Sequence, residues 1–224
     1  MKKATLLTTV LASLAAFTAR ADLLITEVDS AGSANAGYGA DWFEVWNNGA
    51  AAADITGWKM DDSSGLFSSS VALRGLTSIG AGQVAIFLES NSSGSNDATV
   101  GANFINTWFG GTLPSGVALG FYGGSGVGLT TSSPGDAVNL FNSSGTLQAN
   151  VSFGAVVTTG STFDNTAGLN NAVLSQASAL GVNGAFQSLA GSEIGSPGFV
   201  IVPEPSVLAL GGVAVAGLAL RRRK

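Results

Sequence analysis

Between Asp22 and Val202 the chain carries 29 glycines, with many serines, threonines and asparagines, and its apolar residues fall in short runs between them. Short apolar runs broken by turn residues point to strands and tight connections, an all-β body. Leu147, Ala149, Val151 and Phe153 alternate with Gln148, Asn150 and Ser152, the period of two of a strand with one face on a core. Asn142-Ser143-Ser144-Gly145 joins that strand to Ala137–Phe141, so the spacing predicts a hairpin over 136–154. Further strands are expected at Leu23–Asp29, Trp42–Asn47, Ile55–Met60, Val71–Arg74, Gln83–Glu89 and Val117–Tyr122. Asn103–Phe109 is the one internal segment patterned for a short helix, with Phe104 and Trp108 on one face and Pro114 beyond its end. No internal repeat and no dividing linker is visible, and an apolar fraction of 46% is enough to build a core.

The two ends have a different character. Lys2 and Lys3 precede an apolar run from Ala4 to Phe17, and Ala19-Arg20-Ala21 places small residues at the −3 and −1 positions of a signal-peptidase site. Residues 1–21 are therefore expected to be a signal peptide cleaved after Ala21 by signal peptidase; a buried N-terminal helix or a retained anchor is the alternative. At the other end, Pro203-Glu204-Pro205-Ser206 leads into an uninterrupted apolar segment, Val207–Leu220, closed by Arg221, Arg222, Arg223 and Lys224. Proline blocks a helix upstream and four cations stop it downstream. A transmembrane helix is expected over about 205–220, its basic end in the cytoplasm, although fourteen apolar residues span only about 21 Å.

This tripartite tail over 201–224 resembles the PEP-CTERM sorting signal of Gram-negative bacteria. The resemblance implies recognition by an exosortase, cleavage near Pro203, Glu204 and Pro205, transient residence in the inner membrane and release to the cell surface or extracellular matrix. A plain C-terminal anchor without processing is the alternative. Either way the body faces outward.

Composition removes whole classes of chemistry. The chain has no cysteine and no histidine, which excludes disulfides, thiolate or imidazole metal ligands, cysteine nucleophiles and a Ser-His-Asp triad. From Asp22 to Val202 only Lys59 and Arg74 are basic, against thirteen acidic residues, a net of −11. Such a surface repels nucleic acid, which is not expected as a partner.

The body carries a second resemblance. Leu24–Val28 is followed by Asp41-Trp42-Phe43-Glu44-Val45-Trp46-Asn47-Asn48 and by Asp54-Ile55-Thr56-Gly57-Trp58-Lys59-Met60-Asp61-Asp62. Then come Ala81–Leu88, Gly135–Phe141 and the closing Gly195-Ser196-Pro197-Gly198. This order is similar to that of the lamin-tail domain, which implies an immunoglobulin-like β-sandwich over 22–200, flanked by the N-terminal signal helix and the C-terminal hydrophobic helix. Two stretches, 91–116 and 155–193, depart from a compact version of the family and are expected to be insertions or decorated loops. The resemblance further implies that Glu27, Glu44 and Asn47 hydrogen-bond loop backbone amides and hold the first strands together.

No catalytic residue is assigned. Asp41 and Glu44, three apart on a strand, point to opposite faces and are poorly placed as an acid and base pair. Asp61 and Asp62, in Asp61-Asp62-Ser63-Ser64-Gly65, are the candidate calcium ligands, with Asp29, Asp97 or Asp136 as possible completions from other loops; the stretch lacks EF-hand spacing, and a solvated turn is the competing description. No other cofactor is expected. Core packing is the default for Trp42, Trp46 and Trp58, while Trp108, beside Phe109-Gly110-Gly111, is the candidate for exposed contact. Gly123–Gly128 lacks the lysine and following helix of a phosphate loop and is expected to be a flexible loop. Together these features describe a secreted, non-enzymatic surface or matrix protein whose β-domain is structural, adhesive or associated with exopolysaccharide. The alternative is a secreted polysaccharide hydrolase pairing Asp61 or Asp62 with Asp136.

Overall fold

The computed structural model describes residues 22–34, 37–132, 134–155, 160–164 and 172–201. Strand β1 (Leu23–Asp29) pairs antiparallel with β2 (Trp42–Asn47). Short strands follow: β3 (Ala53–Asp54), β4 (Lys59–Asp61), β5 (Val71–Ala72) and β6 (Ser78–Ile79). Then β7 (Val84–Ser90) pairs antiparallel with β2, and helix α1 (Asp97–Phe109) carries the chain across to β8 (Val117–Gly123), which runs parallel to β7. A parallel neighbour needs such a crossover, and α1 supplies it. The expected hairpin is β9 (Asp136–Phe141) and β10 (Leu147–Phe153), turned through Gly145 at φ 82°. The last elements among the described residues are β11 (Phe163–Asp164), β12 (Ala172–Leu174), β13 (Phe186–Gln187) and β14 (Ile194–Gly195).

Two five-stranded sheets form the sandwich, ordered β11-β1-β2-β7-β8 and β12-β10-β9-β4-β5. Their inner faces meet through Ile25, Phe43, Val45 and Phe87 on one side and Met60, Val138, Leu140 and Val151 on the other. The first sheet buries its outer face as well. Trp42, Trp46, Ile86 and Leu88 pack there under Val100, Phe104 and Trp108 of α1. Burial on both faces is why β1 and β2 have no solvent-facing position.

Sequence expectation and structure part at three places. Helix α1 begins six residues before the expected 103, because Val100 already belongs to its buried face. It closes at Gly110 in the left-handed conformation, whose N–H reaches the Asn106 carbonyl. The stretch 91–116 is thus a packed layer as well as a connection. Ile55–Met60 is not one strand: β4 begins at Lys59, while Ala53–Asp54 pairs with Ser78–Ile79 in a separate two-stranded sheet. Gly123–Gly128 is anchored, with Val127 fully buried in the sandwich core and the Gly124 N–H bonded to the Ser90 carbonyl at 3.0 Å.

Strand directions give the sandwich two distinct ends. Leu23, Asn47, Val84 and Val117 mark one end of the first sheet; Asp29, Trp42, Ser90 and Gly123 mark the other. Leu23, Trp58 and Gln148 line one shallow pocket, so the Leu147 end of the second sheet lies with the Leu23 end of the first. The opposite end of the second sheet carries Asp61, Asp136 and Phe153.

Candidate functional site

The most elaborate polar assembly is built on a bulge. Register shifts between Ile25 and Glu27, so Ile25 opposes Val45 while Glu27 opposes Glu44. In an unbroken strand Glu27 would share the sandwich-facing side of Ile25; the extra residue turns it to the outer face beside Glu44. Two buried carboxylates thereby face each other across β1 and β2.

Both are spent on the end of the domain. Glu27 accepts from the Ser196 N–H at 2.7 Å, the Thr162 hydroxyl at 2.5 Å and the Ser196 hydroxyl at 3.2 Å. Glu44 accepts from the Thr26 hydroxyl at 2.6 Å and from the Gly198 N–H. The segment Ser196–Gly198 is therefore strapped across the outer face of the first sheet by two side chains more than 150 residues upstream. Burial lifts the Glu27 carboxyl well above the usual carboxylate range, the facing Glu44 lifts it further, and the Thr162 and Ser196 donors pull against both. Burial raises Glu44 in the same way. Asn47 completes the set: its amide donates to the Ala51 and Ile79 carbonyls at 2.8 and 2.9 Å, and its oxygen accepts from the Gly49 and Asp22 N–H groups. All three residues named from the lamin-tail resemblance bind loop or terminal backbone.

Several further acids gather at the Asp29 and Trp42 end of the sheet. Asp29 and Glu193 lie 3.2 and 2.6 Å from the Tyr38 hydroxyl, which in turn accepts from the Trp42 indole at 3.2 Å. Burial raises the Asp29 carboxyl. Asp41 accepts from the Ser33 N–H at 2.7 Å, and it shares no hydrogen-bond partner with Glu44. Burial pushes Asp41 up to about 7, with repulsion from Glu89 and Asp29 added and the Ser33 amide opposing. The Tyr122 phenol, buried among Glu89, Asp41, Asp136 and Asp29, is raised well above its ordinary value, first by burial and then by these carboxylates.

Asp61 and Asp62, the calcium candidates, take up loop duties. Asp61 is fully buried and accepts from the Ser64 hydroxyl at 2.6 Å and the Leu66 N–H at 2.8 Å; Asp62 accepts from the Ser64 N–H at 3.1 Å. Asp136 accepts from the Ser63 and Thr130 N–H groups, both at 2.8 Å. Asp97 holds Arg74 in an ion pair at 3.0 Å, and Ser90 donates to it at 2.6 Å. No group of three or more acidic side chains is arranged to hold a metal among the described residues. The Asp61 and Asp136 carboxylates proposed for glycosidic chemistry are thus buried, Asp61 Oδ2 and both Asp136 oxygens accepting from backbone or hydroxyl donors and Asp61 Oδ1 having no partner, while Asp62 is partly exposed.

Trp108 corrects the expectation of exposure. It is 1% exposed and packs edge-on against Trp42 and Phe186, since the helix expected over 103–109 lies with its apolar face on the sheet. Trp42, Trp46 and Trp58 are buried as expected. Tyr38, Thr162 and Glu193 had no sequence signal: each becomes important only through partners distant in the chain.

The signal segment with Ala19 and Ala21, the sorting residues Pro203, Glu204 and Pro205, the hydrophobic stretch 205–220 and the basic stop Arg221, Arg222, Arg223 and Lys224 lie outside the described residues. Among the described residues no helix is long and apolar enough to cross a membrane. Residues 16–155 match the Lamin Tail Domain family, and residues 202–224 match the PEP-CTERM protein-sorting motif. No curated protein matches the chain.

Proposed function

The chain belongs to the Lamin Tail Domain family, and from that premise we propose that it is a non-catalytic structural protein of the cell surface or extracellular matrix. Its PEP-CTERM motif marks it for export and for exosortase sorting to the surface or beyond. On this reading signal peptidase removes residues 1–21, the apolar segment Val207–Leu220 holds the protein in the inner membrane, and cleavage near Pro203-Glu204-Pro205 releases the sandwich.

One observation carries the non-catalytic part: the buried carboxylates Glu27, Glu44, Asp61 and Asp136 each accept hydrogen bonds from backbone or hydroxyl groups that close the fold. A general acid or nucleophile must instead be free to meet a substrate. The released domain contributes to matrix cohesion, adhesion or association with exopolysaccharide through its glycine-, serine- and asparagine-rich loops.

The test is intact mass and fractionation of the protein from its own host, with and without alanine at Pro203, Glu204 and Pro205. Loss of both ends and release from the membrane in the parent alone supports the reading. A mature chain that keeps Val207–Lys224 in the membrane overturns the processing step. If deleting the gene leaves matrix protein, adhesion and surface texture unchanged, the matrix role fails.

A further inference from the structure

The sandwich is polar along its length, and the polarity is aligned with the point where the sorting tail leaves it. Asp29, Asp41, Asp61, Asp62, Glu89 and Asp136 occupy the end marked by Asp29, Ser90 and Phe153, with Arg74 paired to Asp97 beside them. Asp22 and Asp54 are the carboxylates at the other end among the described residues, where both line one pocket with Leu23 and Gln148. The chain begins its fold at that end, the Asp22 N–H bonded to Asn47.

It also leaves there. From Ser196 on Glu27 the closing segment passes Gly198 on Glu44 and reaches Phe199 and Val200, which line a shallow groove of about 400 Å³ with Trp46, Val84 and Gly116. Trp46 and Val84 mark the Asn47 end of the sheet. Around this exit lie large apolar side chains in water: Phe199 is 57% exposed and Ile201 38%. Phe199 rests over Gly184, in the turn closed by the Gly181 N–H to the Ala185 carbonyl, and that turn carries Val182 at 52% and follows Leu180 at 63%.

We propose that this apolar end, through Leu180, Val182, Phe199 and Ile201, rests on the membrane surface while the sorting tail is inserted, with the acidic end turned away. The proposal rests on the reading that Val207–Leu220 inserts in the bilayer. Only residues 202–206 separate Ile201 from that segment, at most about 20 Å of chain. The exit end of the sandwich is therefore held within reach of the headgroups. Apolar side chains gain by entering that interface, and the short tether brings the Phe199 end within its reach rather than Leu66 and Val173, which are exposed at the Asp61 and Asp136 end. Exosortase would then meet its cleavage site beside a domain of fixed orientation.

The chain contains no cysteine, so single cysteines can be introduced for a fluorescent label. Val182→Cys probes the apolar end, Ser93→Cys the acidic end and Ala214→Cys the tail, each in the full chain reconstituted into phosphatidylethanolamine–phosphatidylglycerol vesicles with a lipid-borne quencher. Strong quenching at 214 and 182 with none at 93 is the expected result. Adding Leu180→Asp should remove most of the quenching at 182 without moving the melting temperature. Quenching at 214 with 182 as unquenched as 93 overturns the docking and leaves tail insertion standing. No quenching at 214 overturns tail insertion and the docking with it. Self-quenching of the 182 label in detergent without lipid shows that a second copy covers the patch, and that also overturns the proposal.

Discussion

Glu27 and Glu44 work as acceptors, and their replacement by alanine differs from replacement by glutamine. Glu27→Ala would leave the Ser196 N–H without its buried acceptor and the Thr162 hydroxyl with Ser178 alone. An orphaned buried donor costs about 1–3 kcal/mol, so a loss of about that size is expected in denaturant unfolding. Glu44→Gln keeps an oxygen for the Gly198 N–H and removes the charge that burial opposes. It should cost less than alanine at every pH and least above pH 7, where the wild-type carboxyl ionises. Equal losses for Glu44→Gln and Glu44→Ala would mean that the oxygen's hydrogen bond contributes nothing. Asp61 faces the same test from another direction. Its Oδ2 is committed to Ser64 and Leu66, so millimolar calcium should leave the melting temperature unchanged, and a rise of several degrees would instead establish a site.

At the scale of elements, α1 is the part of the fold whose importance is least apparent from its sequence. Trp108 fills the space between Trp42 and Phe186, and Trp108→Ala should cost about 3–5 kcal/mol. For a domain of this size that is a fall of roughly 10 °C in melting temperature; a drop of a degree or two would show that α1 does not pack as described. Gly135, at φ 105°, is a second sensitive point, since an added methyl would meet the Phe153 carbonyl across the β9–β10 pair. Long elements with a clear period were legible: β1, β2 and the β9–β10 hairpin stand where alternation and turn residues place them. The first half of α1, Asp97-Ala-Thr-Val-Gly-Ala, was not, because Thr, Val and Gly are poor helix formers and only packing on the sheet overrides them. Strands of two residues such as β3, β6 and β13 are too short to show a period. The bulge at Glu27 has no sequence mark, and its partners Thr162, Ser196 and Gly198 are distant in the chain. The strap was thus legible on one side, through Glu27, Glu44 and Asn47.

For the molecule as a whole, burial of so many carboxylates sets the direction of its response to pH. Glu27, Asp29, Asp41, Glu44 and Glu89 are all raised, with burial the largest cause in each case. A carboxyl whose folded value lies above its unfolded value binds its proton more tightly in the folded state. The unfolded chain releases these protons from about pH 4 upward, while the folded domain holds them until about pH 7 at Asp41. The stabilisation is therefore complete below about pH 4, declines as pH rises toward 7, and is gone above it. For Asp41 alone the span is of the order of 4 kcal/mol. Asp97 acts in the opposite sense: it is buried in part, but the Arg74 and Ser90 bonds outweigh that and lower it, so its contribution is lost on acidification. Asp62 is raised as well and the exposed Asp54 is lowered, so six raised groups stand against two, and the melting temperature is expected to fall between pH 5 and pH 8. Asp41→Asn, which keeps an oxygen for the Ser33 N–H, should flatten that slope and raise the melting temperature at pH 8. A melting temperature that holds level or climbs from pH 5 to pH 8 in the parent would mean that the buried carboxylates are ionised in the folded domain, stabilised by their amide and hydroxyl donors more than burial opposes them.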